Sequence, residues 1–360
     1  MSDLAGVPDI GLDWLDADGP HSDIVLSTRV RVARNLQGFA YGSRARVNDR
    51  EAVFKAVDGI TDSAQALNGA HVLQMRKLAE RTRRIFLERR LVSRDLLGAD
   101  AKVAPTGAAL VVSATEPLSL MVNEEDHLRL QSLMSGLRFM EAWSLVDRLD
   151  DEIGQNLSFA YHHEFGYLTS CPTNAGTGLR ASALVHLPGL VLTKEIEKVL
   201  QGLAQVGLTF RGLYGEGSEV VGNFFQISNQ TTLGKSEEDL VDHLDRIVGT
   251  VIQTELQARQ VLIRDAASVT EDKIWRAYGL LRYARSLNYE ELMNLLSGVR
   301  LGVSLKLLPS LRVYTLNKIM ILSQAAHLDE VAGRELSPSE RHAHRAEYVR
   351  RMLEREETAA

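Results

Sequence analysis

The stretch Cys171-Pro172-Thr173-Asn174-Ala175-Gly176-Thr177-Gly178-Leu179-Arg180-Ala181-Ser182 constrains this chain more than any other. Gly176 and Gly178 remove side chains that would hold a ligand off the backbone, Thr173, Asn174 and Thr177 add donors, and Arg180 adds a fixed cation. Such a loop is suited to cradle a polyanion such as a phosphate chain. A lone Gly-x-Gly is more often an ordinary turn, so the reading depends on three further polar stretches.

The first lies in Ile24 to Asn35, where Val30 and Val32 alternate with Arg29 and Arg31. A period of two puts both guanidinium groups on one face of a strand. Side by side they repel unless an anion lies between them, and a solvated strand face is the equal alternative. The second follows two buried-type strands, Ala108 to Ser113 and Leu118 to Val122, and reads Asn123-Glu124-Glu125-Asp126-His127-Leu128-Arg129. Three successive carboxylates beside a core are costly unless they meet cations. Strand alternation would set Glu124 and Asp126 on one face and Glu125 on the other. A helix N-terminus capped by Asn123 would account for Glu125 and Asp126, and less well for Glu124. The third, Arg211-Gly212-Leu213-Tyr214-Gly215-Glu216-Gly217, is either a plain hairpin turn or a turn that lets Arg211 and Glu216 close onto a ligand.

Helical spacing predicts helices over 49–70, about 136–149, about 192–205 and 236 to about 264, and a helical region from 265 to 360. Most of the basic residues between 71 and 95 belong to an outer face, with Arg90 the candidate to reach a nucleotide. A chain of 360 residues, 45% hydrophobic, can bury a large core and form two domains. Its 41 Lys+Arg and 47 Asp+Glu make any basic site local, which argues against direct nucleic-acid binding. A single cysteine excludes an intramolecular disulfide and a Cys-based zinc site. His163-Glu164 lacks the second histidine of a metalloprotease helix, so no metal is assigned to protein ligands. With no export signal and no apolar run of membrane length, the expectation is a cytoplasmic protein that does not meet a membrane.

Ser27-Thr28-Arg29-Val30-Arg31, the Asn123 to Arg129 stretch and the Cys171 to Ala181 loop together resemble the signature segments of the ATP:guanido phosphotransferases, the creatine and arginine kinase family, in the family's order over roughly residues 20–250. Two features are similar to its bacterial protein arginine kinase branch. The first motif begins only 27 residues in, which leaves no room for the domain that covers the substrate in small-substrate members, and over 100 residues follow the catalytic region.

The resemblance implies an α+β fold with a phosphagen-kinase-type (glutamine-synthetase-like) antiparallel sheet flanked by helices, plus a C-terminal all-α domain. It divides the chain into an acidic lead (1–20), a catalytic domain (21–250) and a helical dimerisation or regulatory domain (251–360). The donor would be ATP with its Mg2+ carried by the nucleotide. ATP would be held by Ser27, Thr28, Arg29, Val30, Arg31, Arg90, Arg129, Arg180, Ala181, Ser182, Ala183, Leu184, Arg211, Gly212, Leu213, Tyr214, Gly215 and Glu216.

Phosphoryl transfer needs mostly positioning and charge neutralisation, which Arg29, Arg31, Arg129, Arg180 and Arg211 would supply, the last three as catalytic residues. A guanidinium acceptor, with a pKa above about 12, needs a carboxylate to hold it and take its proton; Glu124 and Glu216 are the two candidates. Cys171 would be a redox-sensitive neighbour of the transferred group, or simply a small buried hydrophobe. The branch's Arg-Asp-x-x-Arg-Ala phosphoarginine-binding motif corresponds to Arg341-His342-Ala343-His344-Arg345-Ala346. His342 replaces the carboxylate that would grip a guanidinium, leaving Arg341 and Arg345 for phosphate. The expected activity is phosphorylation of exposed arginines in proteins by a homodimer. By kinship a heat-shock repressor, an activator protein and a Clp ATPase would be partners. The alternatives are a kinase of free arginine or another small guanidino compound, and a non-catalytic phosphoarginine- or nucleotide-binding adaptor.

Overall fold

The computed structural model describes residues 10–61, 63–98, 103–212 and 220–359. Its strands are β1 (Val25–Arg34), β2 (His71–Gln74), β3 (Ala109–Val112), β4 (Leu118–Val122), β5 (Leu128–Ser135), β6 (Tyr161–His162), β7 (Gly166–Tyr167), β8 (Leu179–His186), β9 (Leu208–Arg211) and β10 (Phe224–Asn229). The helices through the sheet region are α1 (Val47–Asp58), α2 (Glu80–Glu88), α3 (Arg94–Leu97), α4 (Phe139–Gly154), α5 (Pro188–Leu192), α6 (Ile196–Gln205) and α7 (Glu237–Asp265). Five more follow: α8 (Ala267–Tyr283), α9 (Tyr289–Ser304), α10 (Val313–Leu322), α11 (Ala325–Val331) and α12 (Pro338–Ala359). Eight strands form one antiparallel sheet in the order β2-β3-β4-β5-β1-β8-β10-β9, with β6 and β7 a separate hairpin. This is the α+β architecture expected, with an all-helical C-terminal region.

The alternation of side chains along each strand gives the sheet two unlike faces. Val30, Val32, Leu128, Leu130, Ala181, Ala183 and Ile227 point to one face and form the main core with Phe139, Trp143 and Val146 of α4, Val248 and Ile252 of α7, and Val57 of α1. Among the described residues, the other face is covered at its ends. Leu110, Val112 and Met121 pack under Ile85 and Phe86 of α2 and Leu96 and Leu97 of α3. Leu133, Leu184 and Phe224 pack with Trp14, Leu15 and the C-terminal helices. Among the described residues, the face between these two apolar ends is polar and uncovered.

Helix boundaries depart from their expected places where a glycine or a cap intervenes. The helix expected over 49–70 ends at Asp58, since Gly59 takes its C-cap and a 3-10 turn follows at Gln65–Leu67. Ser236 caps α7, its hydroxyl accepting the Asp239 N–H at 3.1 Å. α7 runs through residue 250, and its Val251, Ile252 and Ala258 lie in the main core. The C-terminal apolar cluster instead begins with Ile274 of α8.

One charge lies on the core face. Arg34 is buried, and its Nε and Nη2 donate to Asp150 Oδ2 of α4 at 3.0 and 2.6 Å. Its Nη1 donates to the carbonyls of Ala33 and Thr177, and the guanidinium lies 3.5 Å over the Tyr167 ring. Burial raises the Asp150 carboxyl against the opposing pull of Arg34. Removing one partner of such a pair strands the other in a dry site. Asp150→Ala is therefore expected to lose about 3–5 kcal/mol of stability, read as a lower denaturation midpoint, with Asp150→Asn losing less.

Candidate active site

Strand register assembles the site. β1 places Arg31 opposite Gln131 of β5 and Arg180 of β8, Arg29 opposite Leu133 and Ser182, and Ala33 opposite Arg129. β10 places Gln226 opposite Leu184 and Arg211. Residues paired across an antiparallel ladder share a face, so Arg29, Arg31, Arg129, Arg180 and Arg211 stand together on the uncovered middle of the sheet. They line an open cleft of about 1260 Å³ with Arg90, Gln131, Gln226, Cys171 and Asn174.

Neutral side chains help to order these arginines. Gln226 Oε1 accepts from Arg90 Nη2 at 2.7 Å and Arg29 Nη2 at 3.3 Å, Ser27 Oγ accepts from Arg90 Nη1 at 3.2 Å, and Ser228 Oγ accepts from Arg180 Nη2 at 3.4 Å. Burial first, then the neighbouring guanidiniums Arg31, Arg90, Arg180 and Arg129, push Arg29 well below the ordinary arginine range. Burial with Arg129 and Arg180 brings Arg31 down to about 9, despite the opposing pull of Glu124. Depression of a cation's pKa in the folded state means that the unfolded chain binds more protons above pH 9. The destabilisation from Arg31 is therefore fully present below pH 9 and is relieved as pH rises toward the ordinary arginine range. A bound polyanion would relieve the same repulsion at neutral pH.

The acidic run is neither a strand extension nor a helix start. Asn123, at φ +56°, opens a tight β4–β5 turn closed by its N–H on the His127 carbonyl at 2.8 Å. Its carboxamide is spent on the carbonyls of Arg50 and Gly107 rather than on a cap. The turn sends the three carboxylates to three different places. Asp126 goes inward and accepts from Asn35 Nδ2 at 2.7 Å and from the Ser170 N–H at 2.6 Å. The Glu124 side chain has no exposed surface, and its Oε1 accepts from Arg129 Nη1 at 2.7 Å. Its Oε2 accepts the Glu125 N–H at 3.0 Å, so both oxygens already have protein partners. Glu124 and Glu125 both line the open cleft, Glu125 with the more exposed side chain, 39%, and 3.5 Å from Arg129 Nη2. Burial raises its carboxyl, against the pull of Arg129 and with Asp126, Glu124 and Asp95 adding to the rise.

The glycine loop is built differently from the sequence expectation. A Cβ on Gly178, at φ +64°, would lie 2.6 Å from the Ala33 carbonyl, and one on Gly176 would lie 2.5 Å from the Thr232 carbonyl. Those glycines let the loop press against β1 and residue 232, not against a ligand. The Thr177 hydroxyl is likewise turned inward, donating to the Thr232 carbonyl. Cys171, Thr173 and Asn174 do line the cleft, with Cys171 Sγ 3.0 Å from the Thr173 hydroxyl.

Several residues expected at the nucleotide point elsewhere, because a strand offers only alternate side chains to one face. Val30, Ala181 and Ala183 belong to the main core, while Leu184 shares the arginine face but is packed in the C-terminal cluster. Thr28 Oγ1 donates to the Gly136 carbonyl and accepts the Arg138 N–H. Ser27 and Ser182 share the arginine face. Gly212 follows Arg211 directly, whereas Leu213, Tyr214, Gly215 and Glu216 lie outside the described residues. At the C-terminus the expected phosphoarginine motif is engaged with the protein itself. Arg341 donates to Asp329 from Nε at 3.0 Å and Nη2 at 2.7 Å. Arg345 is buried and donates to the carbonyls of Ser323 and Leu287, His342 is half-buried, and Ala346 has no exposed surface.

Sequence reasoning passed over Glu125, Gln131 and Gln226. A signal for the last was present: Gln226 and Ser228 alternate with Phe225 and Ile227, the same period of two that marked β1.

Residues 51–258 match the family model of the ATP:guanido phosphotransferase C-terminal catalytic domain, and residues 267–360 match that of the protein-arginine kinase McsB C-terminal domain. A protein-arginine kinase of Pelotomaculum thermopropionicum is 44% identical over 341 residues, 94% of each chain. One of Symbiobacterium thermophilum is 44% identical over 343 residues, 94% of this chain and 96% of the relative. This chain belongs to the protein-arginine kinase family.

The wider fold is shared with solved structures of other kinases. A lombricine kinase superposes with a TM-score of 0.58 at 24% identity, covering 71% of each chain. The duplicated taurocyamine kinase of Schistosoma mansoni with transition-state analogue components superposes with a TM-score of 0.59 at 26% identity, over 67% of this chain and 34% of that one. Of the arginines on the sheet, Arg129, Arg180 and Arg211 fall within the catalytic-domain match.

If the arginine face is a polyphosphate receptor, ATP at a hundredfold excess over its Kd should stabilise the protein by about 2.7 kcal/mol, seen as a rise in Tm, while adenosine leaves Tm unchanged. Arg31→Gln should raise the Tm of the nucleotide-free protein and shrink the rise caused by ATP.

Proposed function

We propose that this chain transfers the γ-phosphoryl group of MgATP to the guanidinium of arginine residues in proteins. The observation that carries the reading is the arginine face itself, five guanidiniums on one side of a sheet with Glu125 at its edge, open to the cleft. The names of the relatives, protein-arginine kinases over 94% of this chain, support a protein-borne acceptor over a free guanidino compound.

In this mechanism Arg29, Arg31, Arg129, Arg180 and Arg211 hold the phosphate chain in line with the acceptor and neutralise charge on the transferred group. Mg2+ enters with the nucleotide as part of the substrate. The acceptor guanidinium docks on Glu125. As its nitrogen forms the bond to phosphorus and the bond from phosphorus to the ADP oxygen breaks, Glu125 takes the proton from that nitrogen. The raised carboxyl of Glu125 makes it a better base than an ordinary glutamate. Glu124, buried against Arg129, instead fixes the guanidinium that faces the phosphates. Glu216 remains the second acceptor-holding carboxylate by kinship.

Cys171, at the wall of the cleft, is proposed as the residue whose oxidation stops activity. The exposed Val269, Leu280 and Tyr283 of α8 suit a contact between two copies, in keeping with a homodimer. Among the described residues no helix is long and apolar enough to cross a membrane.

The test is transfer of labelled phosphate from MgATP to an arginine-rich unfolded protein, to free arginine and to creatine. Acid-labile label mapping to protein arginine is expected; label on the free compounds alone would make the chain a small-molecule kinase, and binding without transfer would leave an adaptor. Glu125→Gln is expected to lower kcat by about 10²–10⁴ with the KM for ATP little changed. Glu124→Gln should mainly raise the KM for ATP, by about tenfold, the equivalent of about 1.4 kcal/mol. A loss of kcat for Glu124→Gln with an unaffected Glu125→Gln would return the base role to Glu124.

A further inference from the structure

α2 of the catalytic region and α11 of the C-terminal region meet at a clasp that nothing in the mechanism above uses. Glu88, the last residue of α2, accepts the backbone N–H of Ala326 at 2.8 Å and of His327 at 3.1 Å. The same carboxylate lies 2.6 Å from His327 Nδ1. The His327 ring is buried, and its Nε2 faces Arg89 Nε at 3.4 Å. Arginine can only donate, so Nε2 accepts and the neutral ring carries its proton on Nδ1, donated to Glu88. Arg81 of α2 pairs with Glu330 of α11 at 3.4 Å, fastening the same surfaces, and Arg89 Nη1 donates to the Ile10 carbonyl of the N-terminal segment at 3.0 Å.

The residue after Arg89 is Arg90, and its backbone sits at φ +65°. A long L side chain adopts that conformation only where its surroundings hold it there. The turn swings the Arg90 guanidinium into the cleft, where it reaches Ser27 Oγ and Gln226 Oε1, 5.6 Å over the Trp14 ring. Gln226 is also the acceptor of Arg29, so the placement of Arg90 is tied to that of the phosphate-facing arginines. Gln324, one residue before α11, lines the same cleft, as does Glu88.

We infer that His327 and Glu88 are positioning residues for the nucleotide: through their clasp the C-terminal helical region holds Arg90 in the strained turn that delivers its guanidinium to the cleft. The nucleotide site is thus completed by a part of the chain that matches a separate family model from the one covering Arg129, Arg180 and Arg211. The inference rests on the reading that this cleft takes MgATP.

The test is a double-variant cycle on full-length protein, with the Kd of MgADP measured by calorimetry and kcat and KM measured for MgATP and for the protein acceptor. His327→Ala is expected to weaken MgADP binding about tenfold, the equivalent of about 1.4 kcal/mol. The KM for MgATP should rise to match, while kcat at saturating nucleotide and the KM for the acceptor stay within twofold. His327→Asn, whose carboxamide can still donate to Glu88, should restore most of the affinity. In an Arg90→Ala background, His327→Ala should add nothing. If His327→Ala does not fold, Glu88→Gln, which keeps an oxygen for the α11 backbone, replaces it in the same cycle. Additive losses with Arg90→Ala, or native affinity in a folded His327→Ala protein, would overturn the positioning role alone. Failure of the native chain to bind MgADP would overturn the kinase reading and the positioning role together.

Discussion

Mutual repulsion of the guanidiniums on the sheet is the constraint around which the molecule is arranged. Arg29 and Arg31 are neighbours on β1, and the register adds Arg180 and Arg129 from the flanking strands. Glu124, from the β4–β5 turn, is a buried carboxylate set against them, and it answers Arg129. Burial first, and then the neighbouring guanidiniums, lower the pKa of Arg29 and Arg31. Such a surface persists only because the opposite face of the same strands is buried in the main core, which pins each arginine in place however unfavourable its neighbours. The ligand that relieves it must be highly anionic, and a nucleotide triphosphate fits that requirement.

The distribution of apolar residues on that face decides what remains open. Leu110, Val112 and Met121 at one end call for the cover of α2 and α3, and Leu133, Leu184 and Phe224 at the other call for the C-terminal helices. Polar side chains in between cannot be covered without loss of hydration, so the cleft is the uncovered remainder. The C-terminal region therefore shapes the site as well as extending the chain, and Ala326 of α11 packs into the cluster beneath α2. The buried Arg300, whose guanidinium donates to the carbonyls of Ser22 and Asp23 and to Asn317 Oδ1, ties α9 to the segment leading into β1 and to α10.

Much of this was legible in the sequence and part was not, for physical reasons. The period of two in β1 exposed the two-faced strand, and the polar segments pointed to phosphate chemistry. Periodicity says which residues share a face of one strand, but not which strand lies beside it; only register joins Arg31 to Arg180. The glycines of the 171–182 loop were visible, yet their purpose depends on neighbours distant in sequence, Ala33 and Thr232. The acidic run was misread because a turn at φ +56° on Asn123 rotates successive side chains in ways neither strand nor helix spacing describes. That rotation buries the Glu124 side chain on Arg129 and leaves that of Glu125 more exposed. The clasp of Glu88 and His327 spans more than 200 positions and leaves no local pattern at all.

The most direct test of the central claim, that the arginine face binds the phosphates and Glu125 receives the acceptor, is a crystal structure with MgADP, nitrate as a planar mimic of the transferred group, and an arginine-containing peptide. The account predicts the diphosphate on Arg29, Arg31, Arg129, Arg180 and Arg211, nitrate between it and the peptide, and the peptide guanidinium on the Glu125 carboxylate. Nucleotide bound away from β1 and β8, or a guanidinium seated on a carboxylate outside this cleft, would contradict it.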